Sequence, residues 1–367
     1  MINNAEYIKY FKFFFENFSA TKQEKIKEML ISGRVCPIKI NPDTALPEDN
    51  SKLDTMDFVL NCMLQHQKAI RLFQLSEYFE EYKYSLYYKF EETIDLKALD
   101  SEFFYDENYT EFLNSTTSIE KGQYIKHKGR LLLKFTFKLE KYFTQFMEYQ
   151  YNKFSFICIF DLTSKNLEIR FDNLVSPFKT SSIYYLQFVK LIVKFINEKL
   201  NINLTPLDFS FLTLKANREI IKETHPIIST SAQFDDSGSA DLTCNDENKR
   251  PYVDEIEELL KLKEDELGPN ISQVEKNTFN YIKREILSFL QTKEDEARYK
   301  KIVVKFLDIL DSSEKGYRTT FSYLNNESNS HCIIHHELLN SKQERRLDNV
   351  RKIVFELERQ FNSQRTS

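Results

Sequence analysis

Residues 154–171, FSFICIFDLTSKNLEIRF, alternate apolar and polar side chains on both sides of a short polar segment. Alternation with a period of two is typical of a strand, and a polar segment between two such runs is typical of a hairpin. The pattern therefore predicts a strand over 154–162, a turn over 163–166 and a return strand over 167–171.

The flanking stretches YKYSLYYKF (82–90) and LKFTFKLE (133–140) alternate in the same way. They predict further half-buried strands, so we expect a central antiparallel sheet. The helix predicted from Ser182 to Leu200 is apolar nearly all round and should pack across that sheet. Residues 207–214, LDFSFLTL, could add one more strand.

The first 80 residues have a helical period instead. Apolar residues spaced as on a helix predict a first helix up to Phe18. Thr21 and Glu24 have the spacing of a capping box that opens a second helix, which Gly33 closes. One apolar stripe predicts a single long third helix from Asp54 to about Tyr78.

The C-terminal third is predicted to be mostly helical. Helices are expected from about Tyr252 to Leu267, from Ser272 to Gln291 and from about Glu294 to Asp311, and the second of them begins with a Ser272/Glu275 capping box. A hairpin of Tyr317–Leu324 and His331–Leu338 is expected next. A final helix is expected from Lys342 to about Phe361. The fold class is α+β. The predicted parts are a helical subdomain (1–80), an antiparallel sheet plus helix (81–228), an acidic flexible linker or loop (229–251) and a mostly helical C-terminal domain (252–367).

Composition excludes several functional classes. The chain has six glycines in 367 residues and none are clustered, which excludes the glycine-rich loops of P-loop and Rossmann nucleotide sites. Its five cysteines are scattered without a CxxC pair, so we expect reduced thiols and no zinc cluster. Since no membrane span or signal segment is predicted, we expect a cytoplasmic protein that contacts no membrane. Since neither a glycine-rich loop nor a metal cluster is predicted, we also expect no cofactor.

The sequence HCIIHH, residues 331–336, brings together potential metal ligands. If the segment is a strand, His331 and His335 lie roughly 13 Å apart, and so do Cys332 and His336, which is too far for either pair to share one ion. We therefore predict no metal site here, and an edge hairpin that exposes its imidazoles.

The hairpin over 154–171 carries the residues of a possible catalytic site. With a turn at 163–166, Asp161 lies opposite Glu168 and Ile159 lies opposite Arg170. A pair of opposed carboxylates can bind a divalent cation, and this pair faintly resembles the acidic core of restriction-type nucleases. The alternative function is therefore a Mg²⁺-dependent nuclease that uses Asp161, Glu168 and Arg170, although this chain has Arg where those enzymes have Lys and its spacing is shorter.

Basic residues are concentrated between Lys121 and Lys153, where eight bases accompany two acids while the whole chain has a net charge of −5. Aromatic residues including Phe135 and Phe137 are interleaved with them. Such a face is typical of a platform for single-stranded nucleic acid. The alternative is that both phenylalanines point into the core while Lys134 and Lys138 are solvated. The predicted nucleic-acid-binding residues are Lys126, Lys128, Arg130, Lys134, Lys138 and Lys141.

From Ala232 to Gly268 the balance reverses, with twelve acids and four bases. This segment could compete with nucleic acid, recruit a basic partner or simply be a solvated loop and helix.

The sequence thus predicts a cytosolic interaction protein, one component of a multi-protein bacterial system, that binds nucleic acid or a partner protein through the basic aromatic face. The nuclease remains one alternative. A homo-oligomeric scaffold joined through the C-terminal helices is another.

Overall fold

The computed structural model describes residues 4–35, 53–80, 82–97, 99–106, 111–144, 147–174, 178, 184–209, 212, 227–235, 238–242, 253–268, 272–296, 298–306, 317–324, 331–336 and 343–365. The chain divides into two compact units, Met1–Leu207 and Asp208–Ser367. Both contain helices and strands, which confirms the α+β class. No helix in the described ranges is long and apolar enough to cross a bilayer.

The N-terminal unit is built on one sheet. Its helices are α1 Asn4–Glu16, α2 Ala20–Ser32, α3 Thr55–Gln65, α4 Gln67–Glu77, α5 Leu99–Glu102 and α6 Tyr184–Leu200. Its strands are β1 Tyr84–Lys89, β2 Phe103–Tyr105, β3 Leu113–Asn114, β4 Gly122–His127, β5 Arg130–Phe143, β6 Glu148–Asp161, β7 Asn166–Phe171 and β8 Thr205–Pro206. Beyond β8, the strand predicted over 207–214 is not formed at 207–209, and its other residues lie mostly outside the described ranges.

The sheet of this unit has the strand order β1-β7-β6-β5-β4-β2, with β8 paired to β1 and β3 paired to β5. Neighbours are antiparallel except for two short parallel pairs, β2 with β4 and β3 with β5. The sheet is therefore mixed, not purely antiparallel as predicted. The long β5–β6 hairpin forms its centre.

One face of the sheet is aromatic and packs under α6, as the alternation predicts. Phe135 lies 5.8 Å, centroid to centroid, from Phe195 of α6. Phe137 lies 4.7 Å from Phe188 of the same helix. The Phe135–Phe195 pair is edge-to-face and the Phe137–Phe188 pair is tilted, and such aromatic pairs add to the free energy gained by burying their area.

The opposite face is also buried, contrary to the prediction of half-buried strands. Helix α1 packs on β6, and Tyr78, just after α4, joins a cluster with Leu132, Ile157 and Ile159 of this face. The N-terminal helices form a core of their own around Phe11, with members Tyr7, Phe15, Ile26, Leu30, Phe58, Met63 and Phe73. The sheet therefore lies between two helical layers, because both helical groups have an apolar face to cover.

Two details of the N-terminal helices differ from the prediction. The N-cap of α2 is Ser19, whose hydroxyl accepts a hydrogen bond from the amide of Lys22, so Thr21 and Glu24 form no capping box. The long third helix is two helices, since His66 has extended dihedrals (φ −128°, ψ 112°) between α3 and α4. Gly33 caps α2 as predicted, and a Cβ there would lie 2.5 Å from Leu72 Cδ1, at the far end of a side chain.

The C-terminal unit contains β9 Ile227–Asp235, β10 Gly238–Leu242, α7 Val253–Leu267, α8 Gln273–Glu296, β11 Arg298–Phe306, β12 Tyr317–Leu324, β13 His331–His336 and α9 Gln343–Arg365. These strands form antiparallel pairs in the order β10-β9-β11-β12-β13. The capping box of α8 is confirmed. The amide of Ser272 donates to Glu275 Oε2 (3.1 Å), and the amide of Glu275 donates to Ser272 Oγ (3.3 Å).

Two predictions for this unit differ from the structure. The helix expected at 294–311 is replaced from Arg298 by β11, whose β-branched Ile302, Val303 and Val304 are buried between two neighbouring strands. Strands β9 and β10 occupy much of the segment expected to be a linker or loop, and they pair with each other and with β11. Residues 243–250 of that segment lie outside the described residues.

Candidate functional site

The β6–β7 turn does not have the register that the nuclease interpretation requires. Asp161 lies opposite Asn166, and Glu168 lies opposite Ile159. Asp161 Oδ1 accepts hydrogen bonds from the amides of Thr163 and Ser164 (both 3.1 Å), which fixes a four-residue loop over 162–165. The predicted direct opposition of Asp161 and Glu168 is therefore wrong, because the aspartate caps its own turn.

Glu168 and Arg170 form a buried ion pair with each other. Arg170 donates from Nη2 to Glu168 Oε2 (2.9 Å), and its Nε lies 2.8 Å from Glu168 Oε1. Ser85 on the neighbouring strand also donates to Glu168 Oε1 (2.8 Å). The guanidinium therefore neutralises the glutamate and is not directed at a phosphate. Among the described residues no three His, Cys, Asp or Glu side chains are placed to hold a metal ion.

The segment HCIIHH is strand β13, as predicted, and pairs with β12 from His331–Leu324 to His336–Thr319. Its imidazoles are not all at the surface, however. His336 is buried and His335 is half-buried. The expectation of a hairpin exposing its imidazoles is therefore wrong at His336.

The six predicted nucleic-acid-binding residues do not form one surface. Lys126, Lys128 and Arg130 lie at the β4–β5 turn, whereas Lys138 and Lys141 lie towards the opposite end of β5. Eleven residues separate Arg130 from Lys141, roughly 36 Å along an extended strand.

The sixth residue of the set, Lys134, is fully buried and cannot contact nucleic acid. Phe135 and Phe137 are buried against α6, as the alternative interpretation expects, but that interpretation also placed Lys134 in solvent. Both interpretations were wrong about this lysine, because both took the polar face of the sheet to be open.

A buried charge network occupies that polar face. It consists of Lys134 on β5, Lys153 on β6, Glu77 at the end of α4, and Asp106 and Glu111 from the segments between β2 and β3, all at most 2% exposed. Lys153 Nζ donates to Glu77 Oε1 (2.8 Å) and Glu111 Oε2 (2.9 Å). Lys134 Nζ lies 3.2 Å from Asp106 Oδ2, 3.6 Å from Glu111 Oε1 and 3.7 Å from Glu77 Oε2.

Neutral groups complete the network. Lys153 also donates to the hydroxyl of Tyr7 on α1 (3.3 Å), and Lys134 donates to the backbone carbonyl of Gln74 on α4 (3.2 Å). Thr136 donates to Glu111 Oε1 (3.0 Å), and Gln123 donates to Asp106 Oδ1 (2.9 Å). The network thus joins α1 and α4 to the centre of the sheet.

Burial and charge act in opposite directions on the two glutamates. Burial raises the pKa of Glu77 to about 7, despite the attraction of Lys153, and the charge of Glu111 adds to the increase. For Glu111, burial would raise the pKa, but Lys153 and Lys134 outweigh it and lower the pKa to about 2. With Glu77 protonated, the two carboxylates of Asp106 and Glu111 balance the two lysines.

The network could not be predicted from the sequence, because its five charged members come from four separate parts of the chain. The one available signal was a lysine on a strand face between buried residues, at 134 and again at 153. Since the side chains are at most 2% exposed, the network gives a substrate no access. We assign it a structural role, although buried ionisable groups are often found at functional sites.

A row of tyrosines lies at the other end of the β5–β6 hairpin. We call the rings of Tyr10, Tyr151, Tyr149 and Tyr142 the tyrosine row, since their successive centroids are 5.5, 6.5 and 5.1 Å apart. The row runs from α1 towards the hairpin tip and becomes more exposed on the way. Tyr10 is 5% exposed, whereas Tyr149 and Tyr142 are 57% and 47% exposed.

The inner end of the row is fixed and the outer end is open. Tyr10 donates a hydrogen bond to Glu140 Oε1 (2.6 Å), and burial together with that bond raises the pKa of its phenol. Lys9 lies over the ring of Tyr151, 5.9 Å from its centroid. Near the tip, Met147 is 83% exposed and has a left-handed backbone (φ 53°). An exposed Met and two exposed Tyr at one hairpin end match the composition of protein contact surfaces.

No family model matches this chain, and no curated protein matches it either.

Proposed function

We propose that this chain is a binding protein whose contact surface is the outer part of the tyrosine row, Tyr142 and Tyr149, together with Met147. The observation that carries the proposal is the high exposure of these three side chains near the tip of a hairpin that the buried charge network anchors near the middle of its strands. A rigid base makes such a surface effective, because little conformational entropy is lost when it binds.

The balance of charge around the row favours a protein partner over nucleic acid. Lys138 and Lys141 lie on this part of the hairpin, but so do Glu140 and Glu148. Affinity for nucleic acid depends largely on how many phosphates a surface neutralises, and a surface with balanced charge gains little from that source. Tyrosine and methionine, by contrast, contribute most of their binding energy by burying apolar area.

Capture experiments with the full-length chain as bait in extracts of its own cells test the proposal. We expect one or more proteins to be retained at about 0.5 M salt, where exposed charge pairs are screened. The Tyr142→Ala/Tyr149→Ala double variant should lose them, and nuclease treatment should have no effect. Leu96→Ala, which truncates another exposed apolar side chain of the same unit, serves as the matched control. Retention that is identical for the double variant and the wild type would contradict the proposal.

Nucleic acid is a second candidate ligand, favoured by the β4–β5 turn. Lys126 and Lys128 are exposed there, and Arg130 follows directly after the two-residue turn Lys128–Gly129. Fluorescence anisotropy with labelled DNA and RNA, single- and double-stranded, tests this ligand. Lys126→Glu/Lys128→Glu should weaken binding and reduce its salt dependence, whereas Lys138→Glu at the far end of β5 should not.

The wider context of the proposal is a cytoplasmic component of a multi-protein bacterial system. The cytoplasmic part of this context is supported by Cys62, Cys158 and Cys332, which are buried as thiols without disulfides. Burial raises the pKa of Cys158 and Cys332, so both remain protonated and unreactive. Thiols that stay reduced are typical of a reducing compartment.

A further inference from the structure

Helices α7 and α8 form a helical hairpin in the C-terminal unit. Lys283 of α8 forms an ion pair with Glu264 of α7 (2.5 Å), which marks the side of each helix that faces the other. On α8, four apolar residues lie within about 60° of Lys283 round the helix and are half-buried: Phe279, Ile286, Leu287 and Leu290. This side accounts for part of the apolar face that the sequence predicts for α8.

The remaining apolar residues of α8 lie on its outer side and are exposed. Val274 is 75% exposed, Tyr281 58%, Ile282 48% and Phe289 60%. They span the sixteen residues from Val274 to Phe289, about 22 Å of helix. We call this set the α8 stripe. A stripe of this length with four large apolar side chains is uncommon on a surface that stays in water.

The α8 stripe is complementary to itself in an antiparallel arrangement. If a two-fold axis passes between Tyr281 and Ile282, Tyr281 lies against the partner's Ile282, and Val274 lies against the partner's Phe289. All four exposed apolar residues are then covered in two kinds of contact, each made twice, as isologous symmetry requires.

The polar residues of the same outer side match in the same register. Glu285 lies opposite the partner's Thr278, and Glu275 lies opposite the partner's Ser288. Both carboxylates therefore meet hydroxyl side chains, and neither lies opposite another acid. A parallel arrangement in register would instead place each glutamate beside its own copy, which costs free energy.

We propose that the α8 stripe binds a second copy of this chain through antiparallel, two-fold-symmetric packing of α8. This surface belongs to a different unit from the tyrosine row and does not depend on the proposed function. The dimer would present two tyrosine rows, so a partner with two matching sites would bind with increased avidity.

Sedimentation analysis of the full-length chain over a range of concentrations tests the proposal. We expect the mass to rise to twice 43.8 kDa with concentration. Ile282→Glu should raise the dissociation constant by at least about tenfold, because it buries two unpaired charges near the axis. Asn280→Glu is the matched control: Asn280 is exposed on the same helix, about 160° round from Ile282.

Mixing two variants separates this geometry from any other mode of association. Ile282→Glu chains and Tyr281→Lys chains should each dimerise weakly alone, yet an equimolar mixture should form dimers. In the mixed dimer one axial contact is native and the other joins opposite charges. A wild-type chain that stays monomeric, an equal effect of Asn280→Glu, or a mixture no tighter than its components would overturn the proposal. Circular dichroism of each variant verifies that the helices are intact.

Discussion

Two lysines that face each other across the β5–β6 hairpin have opposite environments. Lys153 and Lys138 are directly opposite each other on the same face of the sheet. Lys153 is fully buried and contacts two carboxylates, whereas Lys138 is exposed. Likewise Phe137 is buried under α6 while Tyr142, five residues further along the same strand, is open to solvent.

This comparison shows that the position of the N-terminal helices, and not the local pattern, decides which lysine is a surface residue. Helix α1 places Tyr7 against Lys153, and α4 ends with Glu77 against the same ammonium group. Neither helix brings a carboxylate that pairs with Lys138 in the described contacts. An alternating strand therefore identifies two faces but does not show whether the polar face is solvated or covered.

The largest expected effect concerns the two opposed lysines. Lys153→Met should lower the free energy of unfolding by about 3–5 kcal/mol, because it leaves the buried carboxylates of Asp106 and Glu111 with one lysine. Lys138→Met, the matched control, should change it by less than about 0.5 kcal/mol. Urea titration followed by hydrogen exchange of the β5 and β6 amides measures both. Equal losses for the two variants would contradict the distinction between the buried and the exposed lysine.

A pH-dependent effect of intermediate size is expected from Glu77. Its pKa in the folded chain is about 7, above the ordinary value of 4.5, so the folded state holds the proton more tightly than the unfolded state. The resulting stabilisation is complete below pH 4.5 and is lost as the pH rises through 7. We expect a loss on the order of 3 kcal/mol over this range.

Glu77→Gln isolates this contribution, since glutamine resembles the protonated form and keeps the charge of the network balanced. The difference in unfolding free energy between wild type and variant, measured by urea titration from pH 5 to pH 8, should decrease steadily. A difference that stays constant over that range would show that Glu77 is ionised throughout. Glu111, with its pKa lowered to about 2, contributes a stabilisation that is present above pH 4.5 and is lost only in more acidic solution.

The smallest expected effect on stability is at the exposed end. Tyr149→Ala should cost less than about 1 kcal/mol, because the ring is already more than half exposed and loses only its contacts with Tyr142 and Tyr151. Thermal unfolding followed by circular dichroism measures this change. A loss as large as that of Lys153→Met would mean that the tyrosine row is part of the core and not a contact surface.

Much of the fold could be predicted from local patterns. The α6 helix, the Ser272/Glu275 capping box and the alternation of Phe135 and Phe137 with Lys134 were each predicted from the sequence, because each depends on residues within one element. The error at β11 has a different origin. Its nine residues form a strand because β9 and β12 lie on either side, and neighbours distant in sequence are invisible to a local pattern.

The candidate sites were less predictable than the fold. The register at Asp161 depends on the position of the turn: the four-residue loop begins one residue earlier than predicted, so Asp161 lies opposite Asn166 and not Glu168. The tyrosine row was only partly anticipated, since Tyr142, Tyr149 and Tyr151 fall in the aromatic basic stretch, but Tyr10 comes from α1.

The sequence by itself determined the α+β class, the two-faced strands, the amphipathic helices and the absence of clustered glycines, because these follow from the spacing and chemistry of near neighbours. Only the tertiary structure decided that both faces of the sheet are covered, that Lys134 and Lys153 are buried with Glu77, Asp106 and Glu111, and that the tyrosines at the hairpin end are open. The physical reason is that burial of a charge depends on whether partners from distant segments arrive to compensate its lost hydration.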